Sequence, residues 1–96
     1  MEIRISIERT MPQNEMVSFE NLSHGKDFCV HAFFRNGYGI SMIRNSYTYG
    51  GSDGLYEIAV LDSDGEIDYS TPITNDVIGW LTRDECIRYA GMIASL

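Results

Sequence analysis

Six carboxylates crowd the middle of this 96-residue chain, at Asp53, Glu57, Asp62, Asp64, Glu66 and Asp68, and three tyrosines, Tyr47, Tyr49 and Tyr56, stand among them. Acids at alternate positions around a hairpin project side by side, about 6–7 Å apart along a strand, close to the spacing of phosphates along one nucleic-acid strand. A protein surface of that kind can occupy a groove meant for DNA or RNA, with the tyrosines as aromatic anchors. The plainer reading is a solvated hairpin whose acids keep a sheet edge from pairing with other chains.

Other chemistries fit the residues less well. The run from Asp62 to Asp68 has the alternating oxygens of a calcium loop, but its glycine, Gly65, comes fourth rather than sixth, and the twelfth place is Ile73 rather than a bidentate glutamate. Cys29, His31, His24 and Cys86 offer thiolate and imidazole for zinc, yet no paired C-x-x-C knuckle supports them. Neither a G-x-S-x-G elbow nor a comparable Ser/His/acid signature occurs, and Tyr49-Gly50-Gly51-Ser52 lacks the lysine of a phosphate-binding loop. A non-enzymatic protein without metal or cofactor is therefore expected.

The chain holds fourteen acids against seven bases, a formal charge of −7, and the excess is local. Residues 1–52 carry five acids and five bases, whereas residues 53–85 carry nine acids and only Arg83. Such a field repels nucleic acid and anionic membrane and draws in basic protein surfaces. Cys29 and Cys86 fall in different expected elements among apolar neighbours and read as free, buried thiols. No apolar run reaches membrane-spanning length, and the opening Met1-Glu2-Ile3-Arg4 shows strand alternation rather than a leader, so a cytoplasmic protein is expected.

The elements that must position these side chains read as an α+β single domain: an antiparallel sheet of four or five strands with one C-terminal helix packed on a face. Residues 2–8 alternate with Ile3, Ile5 and Ile7 on one side, the pattern of a half-buried strand. Residues 16–22 fit a strand or a helical turn equally. FCVHAFF at 28–34 is strand-like, and Asn36-Gly37 predicts a type I′ hairpin into residues 38–44. A glycine-rich loop leads to a strand at 55–61, and Asp64-Gly65 turns it back into a short strand at 67–70, closed by Pro72. Residues 75–81 suggest a short helical turn capped by Asn75. From Thr82 a helix is expected, because Thr82 and Glu85 make a capping box and Cys86, Tyr89, Ala90 and Ile93 share one side.

The expected core is Ile3, Ile5, Ile7, Val30, Ala32, Ile40, Ile58, Val60, Trp80, Cys86, Ala90 and Ile93, with Trp80 as its anchor between sheet and helix. Phe33, Phe34 and Tyr38 would supply the apolar area of a homodimer formed at a sheet edge.

Gly37-Tyr38-Gly39, Tyr49-Gly50-Gly51, Gly54-Leu55-Tyr56-Glu57, Ala59-Val60-Leu61 and Thr71-Pro72-Ile73-Thr74, followed by Asp76-Val77-Ile78-Gly79, carry a resemblance that covers about half of the chain. In these motifs the sequence resembles small proteins encoded by tailed phages and prophages. The resemblance implies a setting rather than a site: small acidic phage proteins include inhibitors of host defence such as anti-CRISPR proteins. The expected function is a binding inhibitor whose acidic surface covers a basic nucleic-acid site on a CRISPR effector or another host defence protein. A structural or assembly protein of the phage particle, acting as a homodimer, is the alternative.

Overall fold

The computed structural model describes residues 6–96. A helical turn α1 (Ile7–Thr10) precedes five strands, β1 (Met16–Asn21), β2 (Phe28–Phe34), β3 (Gly39–Arg44), β4 (Tyr56–Leu61) and β5 (Ile78–Leu81), and the helix α2 (Arg83–Ala94) follows. The strands form one antiparallel meander in sequence order, β1-β2-β3-β4-β5. Short connections from β1 to β3, and the longer 45–55 loop before β4, leave each strand its sequence neighbour as the nearest partner.

Alternation in β2 turns Val30, Ala32 and Phe34 toward the core. Their partners in register, Ile40 and Met42 of β3 with Ile58 and Val60 of β4, join the same layer. On that face α2 lays Cys86, Ala90 and Ile93, the i, i+4, i+7 stripe read from the sequence. Its start is the expected capping box: Thr82 Oγ1 accepts the Glu85 N–H, and Glu85 Oε1 accepts the Thr82 N–H. Its end is held from outside, since Asn36 Nδ2 donates to the carbonyls of Ile93 (2.9 Å) and Leu96 (3.2 Å). No helix of the described residues is long and apolar enough to cross a membrane.

Several expectations are corrected. Ile3 and Ile5 lie outside the described residues, while Ile7 stands in the turn α1 instead of a strand and packs half-buried at the core margin. There Thr10 Oγ1 donates to the Ile7 carbonyl, and Gln13 Nε2 donates to the carbonyls of Glu8 and Met11. Met11, beyond the alternating run, enters the core. The ambiguous residues after it form β1.

The Asn36-Gly37 hairpin is present, but only Gly37 has positive φ (+89°). Gly37 N–H donates to the Phe34 carbonyl and Phe34 N–H to Tyr38, so the turn has a wider loop than type I′. The turn at Asp62–Gly65 repeats the construction: Gly65 (φ +80°) donates to Asp62, and Asp62 N–H to Glu66. The strand expected at 67–70 reduces to one bridge, Leu61 to Ile67.

The helical turn expected at 75–81 is instead the edge strand β5. Tyr56 pairs with Leu81 and Ile58 with Ile78, so Gly79 and Trp80 together oppose the single residue Glu57. This bulge lets Ile78 and Leu81 face the core three positions apart, a spacing that imitates a helix. It also turns Trp80 outward: the expected core anchor is 60% exposed, and Leu81 is buried in its stead.

Candidate functional site

The carboxylates and tyrosines singled out in the sequence do not form one surface. Strand β4 separates them into two groups, a span of about 20 Å for six residues. At one end, beside the 35–38 turn, lie Asp62, Asp64, Glu66 and Asp68. At the other, on the 45–54 loop and the adjoining ends of β4 and β5, lie Tyr47, Tyr49, Asp53, Tyr56 and Glu57.

At the acidic end much of the carboxylate chemistry is spent locally. Asp62 Oδ1 accepts the N–H groups of Asp64 (2.9 Å) and Glu66 (3.1 Å), which fixes the turn. Asp68 Oδ1 accepts both the hydroxyl and the N–H of Ser70, and these bonds hold its carboxyl below the usual aspartate range. Asp64 and Glu66 point to solvent. The acids therefore occupy a turn and an irregular segment, not alternate positions of a strand.

The other end is built by close approach. Asn45 Oδ1 accepts the N–H groups of Tyr47 and Thr48, Thr48 Oγ1 accepts the Asn45 N–H, and a 3-10 turn Gly51–Asp53 follows. A Cβ on Gly51 would overlap the Asn45 carbonyl oxygen, so only glycine fits. The loop then clamps the bulge: Glu57 Oε2 accepts the Tyr49 N–H (2.9 Å), and Trp80 N–H donates to the Tyr49 carbonyl (3.1 Å). Gly50 admits Trp80, whose Cα would stand 2.9 Å from a Cβ there, and Gly79 leaves room for Tyr49.

Trp80 adopts φ +59°, the left-handed region, and no other described non-glycine residue has positive φ. A bulky residue there costs on the order of 1–3 kcal/mol, which the bulge and the clamp sustain. The result is that Trp80 (60% exposed) and Tyr49 (61%) stand open beside the clamp, with Tyr47 (94%) open on the same loop. Tyr56 is turned inward and half-buried, its ring edge-on to Phe28 and under the Arg44 guanidinium. Sequence reading missed Trp80 as a surface residue; its signal was the lone tryptophan beside Gly79 within the Ile78…Leu81 spacing.

The thiols lie on opposite faces of the sheet. Cys86 is in the core, where burial and then the Glu85 charge push its pKa up to about 12. Cys29 alternates with the core residues of β2 and is half-buried, its thiol raised by burial. The two cannot meet in one tetrahedral site. The edge surface imagined for a homodimer is also not as expected, because Phe34 is 2% exposed and Phe33 and Tyr38 are half-covered. No family model, curated protein or solved structure matches this chain.

Proposed function

We propose that this chain is a non-enzymatic binding protein that inhibits a host defence complex, in the manner of an anti-CRISPR protein, by covering a basic nucleic-acid-binding surface. The phage setting comes from the sequence resemblance, and a cytoplasmic site of action goes with it. The observation that carries the reading is the strained, exposed Trp80 clamped beside Tyr49. Residues held in sparsely populated backbone regions cluster at functional sites, and a solvent-facing tryptophan held there points to one. Tryptophan and tyrosine are also the residues that dominate contact energies in protein interfaces.

Charge supplies the direction. The −7 net charge steers the molecule to a basic partner, with Asp53 beside the aromatic surface and Asp64 and Glu66 exposed at the far end. A partner that engages both ends must present a basic surface at least about 20 Å long, given the rise of β4. A nucleic-acid channel is such a surface.

Capture from host lysate, with mass spectrometry at rising salt, tests the proposal on three proteins: the native chain, Trp80→Asn, and the quadruple Asp62→Asn, Asp64→Asn, Glu66→Gln, Asp68→Asn. The expected prey is a nucleic-acid-binding defence protein, displaced by added nucleic acid. Its retention should fall at least about tenfold with Trp80→Asn and become less salt-sensitive in the quadruple variant. Equal capture by all three, or prey indifferent to nucleic acid, defeats the proposal.

A further inference from the structure

The turn after β1 and the loop after β3 enclose a cleft of about 360 Å³, at the lower end of small-molecule sites. Lys26 and Arg44 line it together with Asn45, Ser46, Gly51 and Ser52. A second hollow of about 370 Å³ shares Lys26 and Arg44 and extends it past Phe28. In a chain with seven bases against fourteen acids, two of those bases converge on one opening.

We propose that this cleft binds a phosphate group. Arg44 is already placed for it: its guanidinium lies 4.7 Å from the centre of the Tyr56 ring. Its Nη1 donates to Tyr56 Oη (3.2 Å) and the Gly54 carbonyl (3.4 Å). The guanidinium edge not used in these bonds remains for a tetrahedral oxyanion, which a planar fork can grip through two parallel bonds. Lys26 adds a mobile point charge, and the hydroxyls of Ser46 and Ser52 add neutral donors.

The wall needs no rearrangement to receive the ligand. Residues 45–48 are locked by the Asn45 and Thr48 side chains, and Gly51 packs its backbone against them within the same loop, where a side chain would not fit. Asp27 is the opposing group, a carboxylate in the same lining that repels the anion. It weakens the hold on any anion, so binding of a bare ion is expected to be weak. Tyr47, next to Ser46 and open to solvent, offers a ring on which the base of a nucleotide can stack.

Lys26 and Arg44 lie outside the aromatic contact surface and only Tyr47 is common to both, so phosphate binding stands or falls apart from the inhibitor reading. Amide NMR of the full chain, titrated with inorganic phosphate and separately with adenosine monophosphate, tests it without any protein partner. Saturable shifts are expected at Lys26, Arg44, Gly51 and Ser52. Lys26→Gln, on an exposed turn where folding is not at risk, and Arg44→Gln should each weaken binding roughly tenfold, and Asp27→Asn should strengthen it several-fold. Tighter binding of the nucleotide, lost with Tyr47→Ala, assigns the ligand as a nucleotide phosphate; equal binding of the two assigns it as phosphate alone. Shifts that are absent, or that spread equally to Arg35 and Arg88 and survive Lys26→Gln, overturn the site.

Discussion

The two ends of the sheet are made from the same materials and differ in how they use them. At the acidic end positive φ falls on Gly37 and Gly65, residues without a Cβ to clash, and Asp62 bonds its own turn. No non-glycine residue there has positive φ, although Gly39 beside the turn is required by contact with the Ala32 carbonyl, and the turns look like solutions to chain reversal. At the aromatic end positive φ falls on Trp80 as well as on Gly50 and Gly54, and Gly51 and Gly79 are required by contact. One end satisfies its backbone; the other sacrifices some backbone comfort to display side chains. The difference teaches that dense charge can be spent on turns, while strain is held in the open elsewhere.

Three measurements sharpen or break that contrast. The largest effect is expected from Gly51→Ala, because the new Cβ would meet the backbone oxygen of Asn45 rather than a movable side-chain tip. Denaturant unfolding should show a loss of about 1–3 kcal/mol or more. A loss under about 0.5 kcal/mol would show that the loop is not locked.

Trp80→Asn should alter stability by no more than about 1 kcal/mol, since asparagine tolerates the left-handed region and relief of strain offsets lost packing. A tryptophan that anchored the core would cost about 3–5 kcal/mol on truncation. A loss of that size would return Trp80 to the core and remove the case for the aromatic end.

The smallest effect is in acid. Glu85, near the aromatic end, is held below the ordinary glutamate value of 4.5 chiefly by the Thr82 N–H, then by its hydroxyl. Asp68, at the acidic end, is held below 3.8 by the Ser70 hydroxyl and N–H. Both pKa values are depressed by folding, so each group's stabilisation is complete above those values and is lost as pH falls through the lowered ones. Melting temperature followed against pH should therefore start to fall below about 4.5 through Glu85, and at lower pH through Asp68. Glu85→Gln should flatten the first part of the curve and Asp68→Asn the second; unchanged curves would show that neither bond forms in solution.

The same contrast separates what was legible in the sequence from what was not. Strand β2, the positions of both glycine turns and the capping box of α2 were readable because each is a local decision, settled by residues close along the chain. Strand β5 was not, because a bulge lets Ile78 and Leu81 share a face at helical spacing. The outward turn of Trp80 follows from pairing with a strand remote in sequence, opposite Glu57 of β4, and no local pattern encodes it. Ile7 failed for the opposite reason: its period-two neighbourhood was convincing, but Met11 and Pro12 just beyond it favour a turn that buries Met11. The acids were visible as residues; that β4 divides them from the tyrosines was not, because the sequence shows proximity along the chain and not the length of a strand between two clusters.

The Asn36 side chain, which closes the last turn of α2, has a kinetic consequence. Every strand in the meander pairs with its predecessor, across short loops from β1 to β3 and across the longer residues 45–55 before β4, so the loops to be closed are local ones. The docking of α2 is different, since Asn36 and Ile93 are 57 residues apart. Closing so long a loop costs more entropy than zipping adjacent strands, so the contact is expected to form late; Asn36→Ala should then speed unfolding and leave the folding rate nearly unchanged, and a slowed folding rate in stopped-flow kinetics would refute this.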